Sequence, residues 1–518
     1  YFIIWRNGNL KNDEFDDDEF RNDKGLASDN DDDDLVIEYS IVELGWPGEG
    51  NLDLDPAFVD GASGDLRLTD ISPAINAGLN TEATALATDL DGNTRLIDNT
   101  IDMGAYDFQE ITGICPGTSK IFVDINSDGL NDGSSWGDAF SDLQDALALA
   151  RSCDEVTEIW VAEGTYTPTS DLDDNVTFLL VNGVSLYGGF SGTESSLSQR
   201  DWKANPTILS GDLGQANNNP VNSKHVVVGI NVDSTTLVDG FIIRDGSTYD
   251  DAICFDNEPF CTDGIYPNGG GGLLIFSEDG GVSNPIIQYC RFENNQNGSD
   301  GSGGYDGGAI YLERASATIQ FCEFMNNSSC NDGGAISAFF ESRLTIKNSV
   351  FKNNVAGDDG GAIYVSGPLV DGKRQAPSVN IESSELFGNV SIASGGAMFS
   401  GSDDFVIRNA TFFENTATEF GTINVILPIE IYNSIIWLNE SGYSLPAITG
   451  AQEAVDSSII SHSIIEGGFP GTNNLSSYPE FVDTTETGLD LRLIVNSPAI
   501  NAGLNTEAPS TSSDIAGY

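Results

Sequence analysis

Residues 307–327 read GGAIYLERASATIQFCEFMNN, and residues 333–354 repeat the same design as GGAISAFFESRLTIKNSVFKNN. Each version has a glycine pair, an alternating apolar segment, a second alternating segment and two final asparagines. The glycine pairs stand at Gly271-Gly272, Gly307-Gly308, Gly333-Gly334, Gly360-Gly361 and Gly395-Gly396, with a degenerate copy at Gly421. The chain is therefore built on a unit of about 26 residues, lengthened at two places by insertions.

Short alternating strands with glycine and asparagine at the corners, and without helical periodicity, predict stacked β-strand rungs. One unit of this size cannot bury its apolar face alone, whereas stacked units share one continuous core. The predicted fold is all-β: a right-handed parallel β-helix, a solenoid in which each rung lies about 4.8 Å above the previous one.

One asparagine recurs at the end of each second segment, at Asn295, Asn327, Asn354, Asn389, Asn415 and Asn439. Stacked at one corner, these side chains predict an internal ladder in which each amide bonds the rungs above and below. The alternative is that asparagine is used there because it tolerates left-handed turn geometry. Either role is structural.

A longer repeat joins the two ends of the chain. The segment SPAINAGLNTEA at Ser72–Ala83 recurs unchanged from Ser497, and IIWRN at Ile3–Asn7 recurs as IIWLN at Ile435–Asn439. The chain starts inside a rung, without the pattern of a signal peptide. We therefore expect a window from a longer tandem array, a fragment of a giant repeat adhesin.

This repeat predicts the domain organisation. We expect residues 1–110 to be the C-terminal part of one β-helix module and residues 111–120 to be a linker. Residues 121–214 would form the cap and first rungs of a second module, and residues 215–518 its remaining rungs. Between Asp138 and Cys153, apolar side chains fall on one helical face, which predicts a capping helix over the first rung: Phe140, Leu143, Ala146, Leu147 and Ala150.

The composition is strongly acidic, with 80 Asp and Glu against 21 Lys and Arg and a net charge of −59. Nucleic acid is excluded as a partner, because binding it needs clustered cations. No apolar run in this window reaches the length of a membrane span. The charge predicts a solvated, self-repelling surface. The alternative is that some of these acidic side chains also bind calcium specifically.

One loop, DINSDGLND, has the spacing of a calcium site. Its candidate ligands are Asp124, Asn126, Asp128, the carbonyl of Leu130, and Asp132. Ser135 occupies the place of the bidentate glutamate, and Asp138 could replace it only if the loop folds back. Calcium is the only cofactor that the sequence suggests, and the alternative is a capping turn without metal.

Seven cysteines are consistent with an oxidising exterior. Cys254 and Cys261 bracket a short loop, and Cys115 and Cys153 bracket the cap, so each pair is a candidate disulfide. The same position in neighbouring rungs is occupied by Cys290 and Cys322, which would stack inward unless Cys322 pairs with Cys330. Spacing alone does not decide the connectivity.

The GGAI and F-x-N-N segments resemble the polymorphic outer-membrane-protein repeat. The start of the second module resembles bacterial pectate-lyase-like surface proteins of the choice-of-anchor type, through FVDINSDGLNDGSSWGDAFSDLQDALALA from Phe122, EIWVAEGTYTPT from Glu158 and VSLYGGFSGTESSLSQRDWKANPTILSGDLG from Val184. These resemblances imply a secreted β-helix at the cell surface, with a sorting domain outside this window.

The sequence favours an extracellular structural or adhesive repeat protein that forms a rigid rod or filament on the cell surface. Its partners would be neighbouring modules or other copies of itself, and surface polysaccharide is a further candidate. The alternative function is carbohydrate binding by exposed aromatic rings, for which the candidates are Tyr305, Tyr311, Phe339, Phe340 and Tyr364.

An enzyme is the least favoured function, although β-helices host polysaccharide lyases and glycoside hydrolases. Lyase chemistry on acidic sugars needs a cationic base or charge neutraliser, and hydrolysis needs two carboxyls in one cleft. Lysine and arginine are sparse along the repeat. His225 and His462 lie in separate strand patterns, so we assign no catalytic residue.

Overall fold

The structure, a computed structural model, describes residues 3–4, 37–42, 50–52, 54, 56–60, 65–69, 72–79, 88–90, 95, 101–106, 115–170, 172–216, 219–248, 269–277, 281–298, 306–367, 369–370, 373–374, 377–402, 404–442, 445–485 and 489–507. The chain divides into two compact units. The first contains Tyr1–Ile114, and the second contains Cys115–Asp251 and Pro267–Tyr518.

The second unit is a right-handed parallel β-helix, which confirms the predicted fold class. Within the described residues, three long parallel sheets of eleven, ten and nine strands run along it. Each strand is hydrogen-bonded to the equivalent strands of the rungs before and after it, as in the pairing of Thr318 with Thr345 and of Thr345 with Asn380. A rung contributes one short strand to each sheet.

The strand bounds follow this order. The eleven-strand sheet contains Lys120–Val123, Glu158–Ala162, Ser185–Phe190, Leu237–Asp239, Ile286–Gln288, Ser316–Gln320, Arg343–Lys347, Ser378–Glu382, Asp404–Arg408, Glu430–Tyr432 and Ile459–Ser461. The ten-strand sheet contains Gly164–Tyr166, Thr207–Ser210, Phe241–Arg244, Arg291–Glu293, Glu323–Met325, Val350–Lys352, Glu385–Phe387, Thr411–Phe413, Ile435–Trp437 and Ile464–Ile465. The nine-strand sheet contains Phe178–Leu179, Val227–Ile230, Leu273–Phe276, Ile310–Glu313, Ile336–Phe339, Ile363–Val365, Met398–Ser400, Ile423–Val425 and Ile448–Gly450.

Shorter elements complete the described part of the fold. A six-strand corner sheet contains Gln296–Asn297, Ser328–Ser329, Val355–Ala356, Val390–Ser391, Thr416–Ala417 and Glu440–Ser441. The antiparallel hairpins are Phe58–Asp60 with Asp65–Leu68, Asp212–Ala216 with Asn219–Asn222, Leu369–Val370 with Lys373–Arg374, and Phe481–Asp483 with Asp490–Leu493; Ile3–Ile4 and Ile41–Val42 pair in parallel. The helices are Leu143–Ser152 and Gln452–Ser457, with 3-10 turns at Trp136–Asp138, Leu197–Gln199 and Asn505–Glu507.

The core is a stack of like side chains, because each strand alternates inward and outward residues. In Ser316–Gln320, Ala317 and Ile319 point inward and are buried. The rings of Phe292, Phe324 and Phe351 stack on one another with centroid distances of 5.0 and 4.6 Å. A side chain in this column is therefore covered above and below by its own equivalents, which is why one rung alone cannot be stable.

The strand register corrects one glycine pair. Because Leu273 pairs with Ile310, Gly270 lies opposite Gly307, and the first pair is Gly270-Gly271. The pair predicted at Gly271-Gly272 was wrong by one residue, since four successive glycines hide the register. The first glycine of each pair has a positive φ, the conformation that glycine tolerates best: Gly270, Gly307, Gly333, Gly360 and Gly395.

The six asparagines form a ladder inside one corner. Each side-chain Nδ2 donates to the Oδ1 of the next asparagine, at 3.0, 3.0, 2.9, 2.8 and 2.9 Å from Asn295 to Asn439. The same Nδ2 also donates to a carbonyl of the previous rung, as from Asn354 to Phe324 at 3.0 Å. The backbone N–H of each asparagine donates to the next Oδ1 as well.

The residue immediately before each ladder asparagine has the left-handed backbone conformation. Positive φ angles occur at Asn294, Asn326, Asn353, Gly388, Glu414 and Leu438, and the ladder asparagines are not among the positive-φ residues. The alternative explanation therefore applies to the first asparagine of the N-N pair and not to the second. Glutamate and leucine also occupy the left-handed position, whereas the ladder position needs both an amide donor and an amide acceptor.

The capping helix is present, and it is shorter than predicted. It runs over Leu143–Ser152 and begins at Asp142, whose side chain accepts a hydrogen bond from the N–H of Gln144. Its buried face belongs to the common core: Leu143, Ala146, Leu147 and Ala150. Phe140 precedes the helix and forms a parallel bridge with Val123, because backbone pairing with the first strand outcompetes the helical pattern at that position.

We predict that Asn354→Leu lowers the free energy of unfolding by about 3 kcal/mol or more, because it leaves buried donors and acceptors of two rungs unpaired. Asn353→Gly is the matched control: Asn353 is exposed and has a φ of 55°, so glycine should change stability by about 0.5 kcal/mol at most. Urea unfolding followed by circular dichroism measures both. Equal effects of the two substitutions would contradict a stabilising ladder.

Candidate functional site

A column of aspartates lies just before the glycine pairs. Asp306 Oδ1 accepts hydrogen bonds from the N–H of Asp332 at 3.0 Å and from Asn331 Nδ2 at 2.8 Å. Asp332 Oδ1 accepts from the N–H of Asp359 at 2.9 Å, and Asp359 Oδ1 accepts from the N–H of Ser394 at 2.9 Å. Each carboxyl therefore ties its own rung to the next.

The column holds its protons unusually tightly. Burial, with a smaller contribution from the nearby charge of Asp358, raises the pKa of Asp306 to about 6. Burial, followed by the charges of Asp306, Asp359 and Asp358, raises the pKa of Asp332 to about 8. Like charges held one rung apart with little solvent cannot all ionise, so at neutral pH the column keeps a proton on Asp332.

A row of aromatic rings lies beside the column on the outside of the nine-strand sheet. Successive centroids of Tyr311, Phe339, Tyr364 and Phe399 are 5.6, 5.4 and 5.1 Å apart. Tyr311 is buried and donates to Glu313 Oε2 at 3.3 Å, whereas the other three rings are half-buried. Burial and the charge of Asp332 raise the pKa of the Tyr364 hydroxyl.

This flank, which we call the Asp–aromatic flank, combines a row of neighbouring aromatic rings with buried acids. Phe339, Tyr364 and Phe399 present partly exposed apolar surfaces at rung spacing, and Asp332 supplies a carboxyl that is protonated near neutral pH. The exposed edges of these rings form an apolar strip against which a sugar ring can pack. Sequence reasoning named Phe339 and Tyr364 but missed the acids, although an aspartate precedes three of the glycine pairs.

Two further aromatic candidates behave differently. Phe340 is half-buried with a φ of 49°, and its ring lies under the guanidinium of Arg314 at 4.6 Å. It therefore packs against a cation of its own chain. Tyr305 lies outside the described residues.

The DINSDGLND loop folds back on itself as a closed turn. Asp124 Oδ1 accepts from the N–H of Asn126 at 2.9 Å, and Asp132 Oδ1 accepts from the N–H of Ser134 at 2.9 Å. Asp138 Oδ1 accepts from the N–H of Leu130 at 3.1 Å. At Gly129 the chain passes so close that a Cβ would collide with the carbonyl of Gly137, which explains this glycine.

As folded, the carboxylates of this loop bond backbone N–H groups. Asp128 is exposed, and Asp124, Asp132 and Asp138 each bond a different N–H. Across the described residues, no three His, Cys, Asp or Glu side chains are grouped as metal ligands. The loop forms a turn before the capping helix, and calcium binding to it stays a prediction.

The cysteines occupy three different environments. Cys115 and Cys153 are joined by a disulfide with a Cα–Cα distance of 5.7 Å, which fastens the start of the unit to the end of the capping helix. Cys290 and Cys322 are buried free thiols at equivalent positions, and Cys330 is an exposed free thiol. Cys254 and Cys261 lie outside the described residues.

The histidines have structural surroundings. His225 Nδ1 donates to the carbonyl of Gly270 at 3.0 Å, and burial lowers the pKa of its imidazole to about 4. The ring is therefore neutral at physiological pH. His462 has a φ of 53° and contacts Ser461 and Asn473 through its two ring nitrogens.

Parts of the chain are similar to a known repeat and to a solved structure. Residues 321–338 and 348–366 match the Chlamydia polymorphic membrane protein repeat. Among solved structures, the chain is similar to the pectin methylesterase PemA from Erwinia chrysanthemi, with 11% identity and a TM-score of 0.27 over 62% of this chain and 80% of that one. No curated protein matches the chain. Among the described helices, none is long and apolar enough to cross a membrane.

We predict that stability falls as pH rises from 5 to 8. The folded-state pKa of Asp332 lies above its unfolded value, so its contribution is complete below about pH 4 and is lost as pH rises through about 8, at about 1.4 kcal/mol per pKa unit. Asp332→Asn keeps an oxygen for the N–H of Asp359 and should flatten this dependence. Denaturant unfolding at pH 5, 6.5 and 8 measures it.

The control for this prediction is Asp154→Asn, which removes one charge from an exposed turn. It should leave the pH profile unchanged. Parallel profiles for wild type and Asp332→Asn would show that Asp332 does not hold a proton in the folded state.

Proposed function

We propose that this chain is part of an extracellular structural or adhesive protein that forms a rigid rod on the cell surface. The observation that carries the proposal is the asparagine ladder, which links six rungs without a break. A solenoid held by main-chain pairing in every rung resists bending along its axis. It can therefore hold surface loops at fixed spacing, so that weak contacts sum to avidity.

The charge and the repeat type support a location at the cell surface. The repeat matched by residues 321–338 and 348–366 occurs in polymorphic membrane proteins of Chlamydia, and we infer a cell-surface location from it. The net charge of −59 keeps long rods soluble through mutual repulsion. The Cys115–Cys153 disulfide is of the kind that persists in an oxidising exterior.

Carbohydrate binding is the second candidate, and the Asp–aromatic flank favours it. Phe339, Tyr364 and Phe399 form a row of half-buried rings with centroids 5.4 and 5.1 Å apart along the rod. A polysaccharide could lie along this row. The acidic surface repels anionic chains, so a neutral glycan is the ligand class we propose.

The rod proposal predicts the shape of the native protein released from the cell surface. Negative-stain electron microscopy should show long thin rods with an axial repeat close to one module. We expect the rods to persist after chelation, because the ladder is built from protein groups alone. Short isolated particles would contradict the rod proposal. Loss of the rods on chelation, restored by calcium and abolished by Asp124→Asn, would assign a metal to the DINSDGLND loop.

The carbohydrate proposal predicts a loss of binding on removal of one ring. In affinity electrophoresis with a neutral β-glucan, Tyr364→Ala should weaken retardation about tenfold, because the central ring of the row is lost. Tyr478→Ala is the control, since Tyr478 is an exposed tyrosine that lies outside the nine-strand sheet. Equal retardation of wild type and Tyr364→Ala, or none at all, would refute glycan binding at this flank.

A further inference from the structure

Cys290 and Cys322 occupy the same corner of neighbouring rungs. The strand pairing fixes this position, because Gln288 and Gln320, two residues before each cysteine, lie opposite one another, and the pairing resumes one residue after each cysteine. Equivalent Cα atoms of neighbouring parallel strands are about 4.8 Å apart. A disulfide spans about 4.4–6.8 Å between Cα atoms, so the two backbones already have the spacing that a disulfide requires.

The two thiols are in contact inside the common core. Cys290 is 2% exposed and Cys322 is 1% exposed. Cys322 Sγ lies 3.6 Å from the carbonyl oxygen of Ile287, so this thiol leans toward the rung that contains Cys290. Burial, followed by a hydrogen bond with the Cys290 thiol, raises the pKa of the Cys322 thiol. Each sulfur is therefore shielded from water and has the other sulfur beside it.

Cys330 is placed at a different corner. It follows Ser328–Ser329 in the six-strand corner sheet, and its thiol is exposed. The strand Glu323–Met325 and the ladder asparagine Asn327 lie between it and Cys322. Of the two arrangements that the sequence leaves open for Cys322, the structure therefore shows the stack with Cys290.

Serine takes the place of cysteine at this corner in later rungs. The column continues through Ser349, Ser384, Ser434 and Ser463, with Ala410 between the second and the third of them. Each serine hydroxyl donates to the carbonyl two residues before it, at 2.8 to 3.0 Å, and accepts an N–H of the previous rung at 3.1 to 3.2 Å. Serine thus links successive rungs by hydrogen bonds at the corner where the first two rungs have sulfur.

We propose that Cys290 and Cys322 are a covalent modification site, at which a disulfide joins two neighbouring rungs when the chain folds in an oxidising compartment. The thiolate of one cysteine attacks a small disulfide, oxidised glutathione, and releases one glutathione thiolate. The second thiolate attacks the protein sulfur of this mixed disulfide and releases the other. The two protein thiols are oxidised, the glutathione disulfide is reduced, and the two thiol protons pass to the released glutathione.

Burial determines when this reaction takes place. The raised pKa of the Cys322 thiol leaves little thiolate in the closed core, so exchange occurs before the rungs have closed. The same two rungs are joined at their next corner by the amide bond from Asn295 to Asn327. The disulfide therefore holds the other end of the paired strands Arg291–Glu293 and Glu323–Met325. It depends neither on the rod proposal nor on the Asp–aromatic flank.

Peptide mapping of the full chain tests the bond. The chain is refolded in a glutathione redox buffer until Cys115 and Cys153 are linked, so that the sample is known to be oxidised. Free thiols are then alkylated in denaturant, and the chain is cleaved after aspartate and glutamate without reduction. Cys290, Cys322 and Cys330 fall in separate peptides, residues 280–293, 314–323 and 324–332. Mass spectrometry should show the first two peptides joined and lighter than their sum by two hydrogen atoms.

Serine variants supply the controls. Cys330→Ser should leave the joined peptides unchanged, whereas Cys322→Ser should leave Cys290 alkylated. Circular dichroism should show that both variants fold, since the later rungs use serine at the corner of Cys322. Alkylation of both Cys290 and Cys322 in a chain whose Cys115–Cys153 bond is intact would overturn the proposal. A peptide that joins Cys322 to Cys330 would overturn it as well.

Urea unfolding with and without reductant measures what the bond does. Reductant opens Cys115–Cys153 in every chain, so it lowers the unfolding midpoint of the wild type and of Cys290→Ser/Cys322→Ser alike. The wild type should lose more, because it also loses the link between the two rungs. An equal shift in both proteins would show that the disulfide does not hold the rungs together and would overturn that part of the proposal.

Discussion

The structure depends on one constraint: each polar group at the inside corner of a rung must find its partner in the next rung. Asn354 illustrates it, since its amide bonds Phe324 on one side and Asn389 on the other. The corner would otherwise bury unpaired amides in the apolar core, at a cost of about 1–3 kcal/mol for each group. The glycine pairs, the left-handed residue before each asparagine and the stacked phenylalanines all accommodate this vertical bonding.

The aspartate column follows the same rule with a different consequence. Asp306, Asp332 and Asp359 also join successive rungs, but carboxyls bring charge that burial penalises. The asparagine ladder is insensitive to pH, whereas the aspartate column is titratable. The fold thus contains one set of inter-rung hydrogen bonds that does not titrate, the asparagine ladder, and one that does, the aspartate column. The aromatic row runs beside the aspartate column.

The repeat, the fold class and the face of the capping helix could be predicted because they are local patterns of period and residue type. The register of the first glycine pair could not, since Gly269–Gly272 are four identical residues and only the pairing of Leu273 with Ile310 fixes it. Phe140 was assigned to a helix because its spacing fits one, while its partner Val123 lies far back in the chain. The aspartates can be seen in the sequence, but their burial together arises only when successive rungs stack.

The ladder also determines where the chain tolerates insertions and deletions. Successive asparagines are separated by 32, 27, 35, 26 and 24 residues, yet their amide bonds stay between 2.8 and 3.0 Å. The geometry of the ladder therefore does not depend on the number of residues between two successive asparagines. Segments can be inserted or deleted at the loops without disturbing the register of the rungs on either side. Exposed loops on such a scaffold can change in length and sequence, while the asparagines of the inner corner are constrained by their hydrogen bonds.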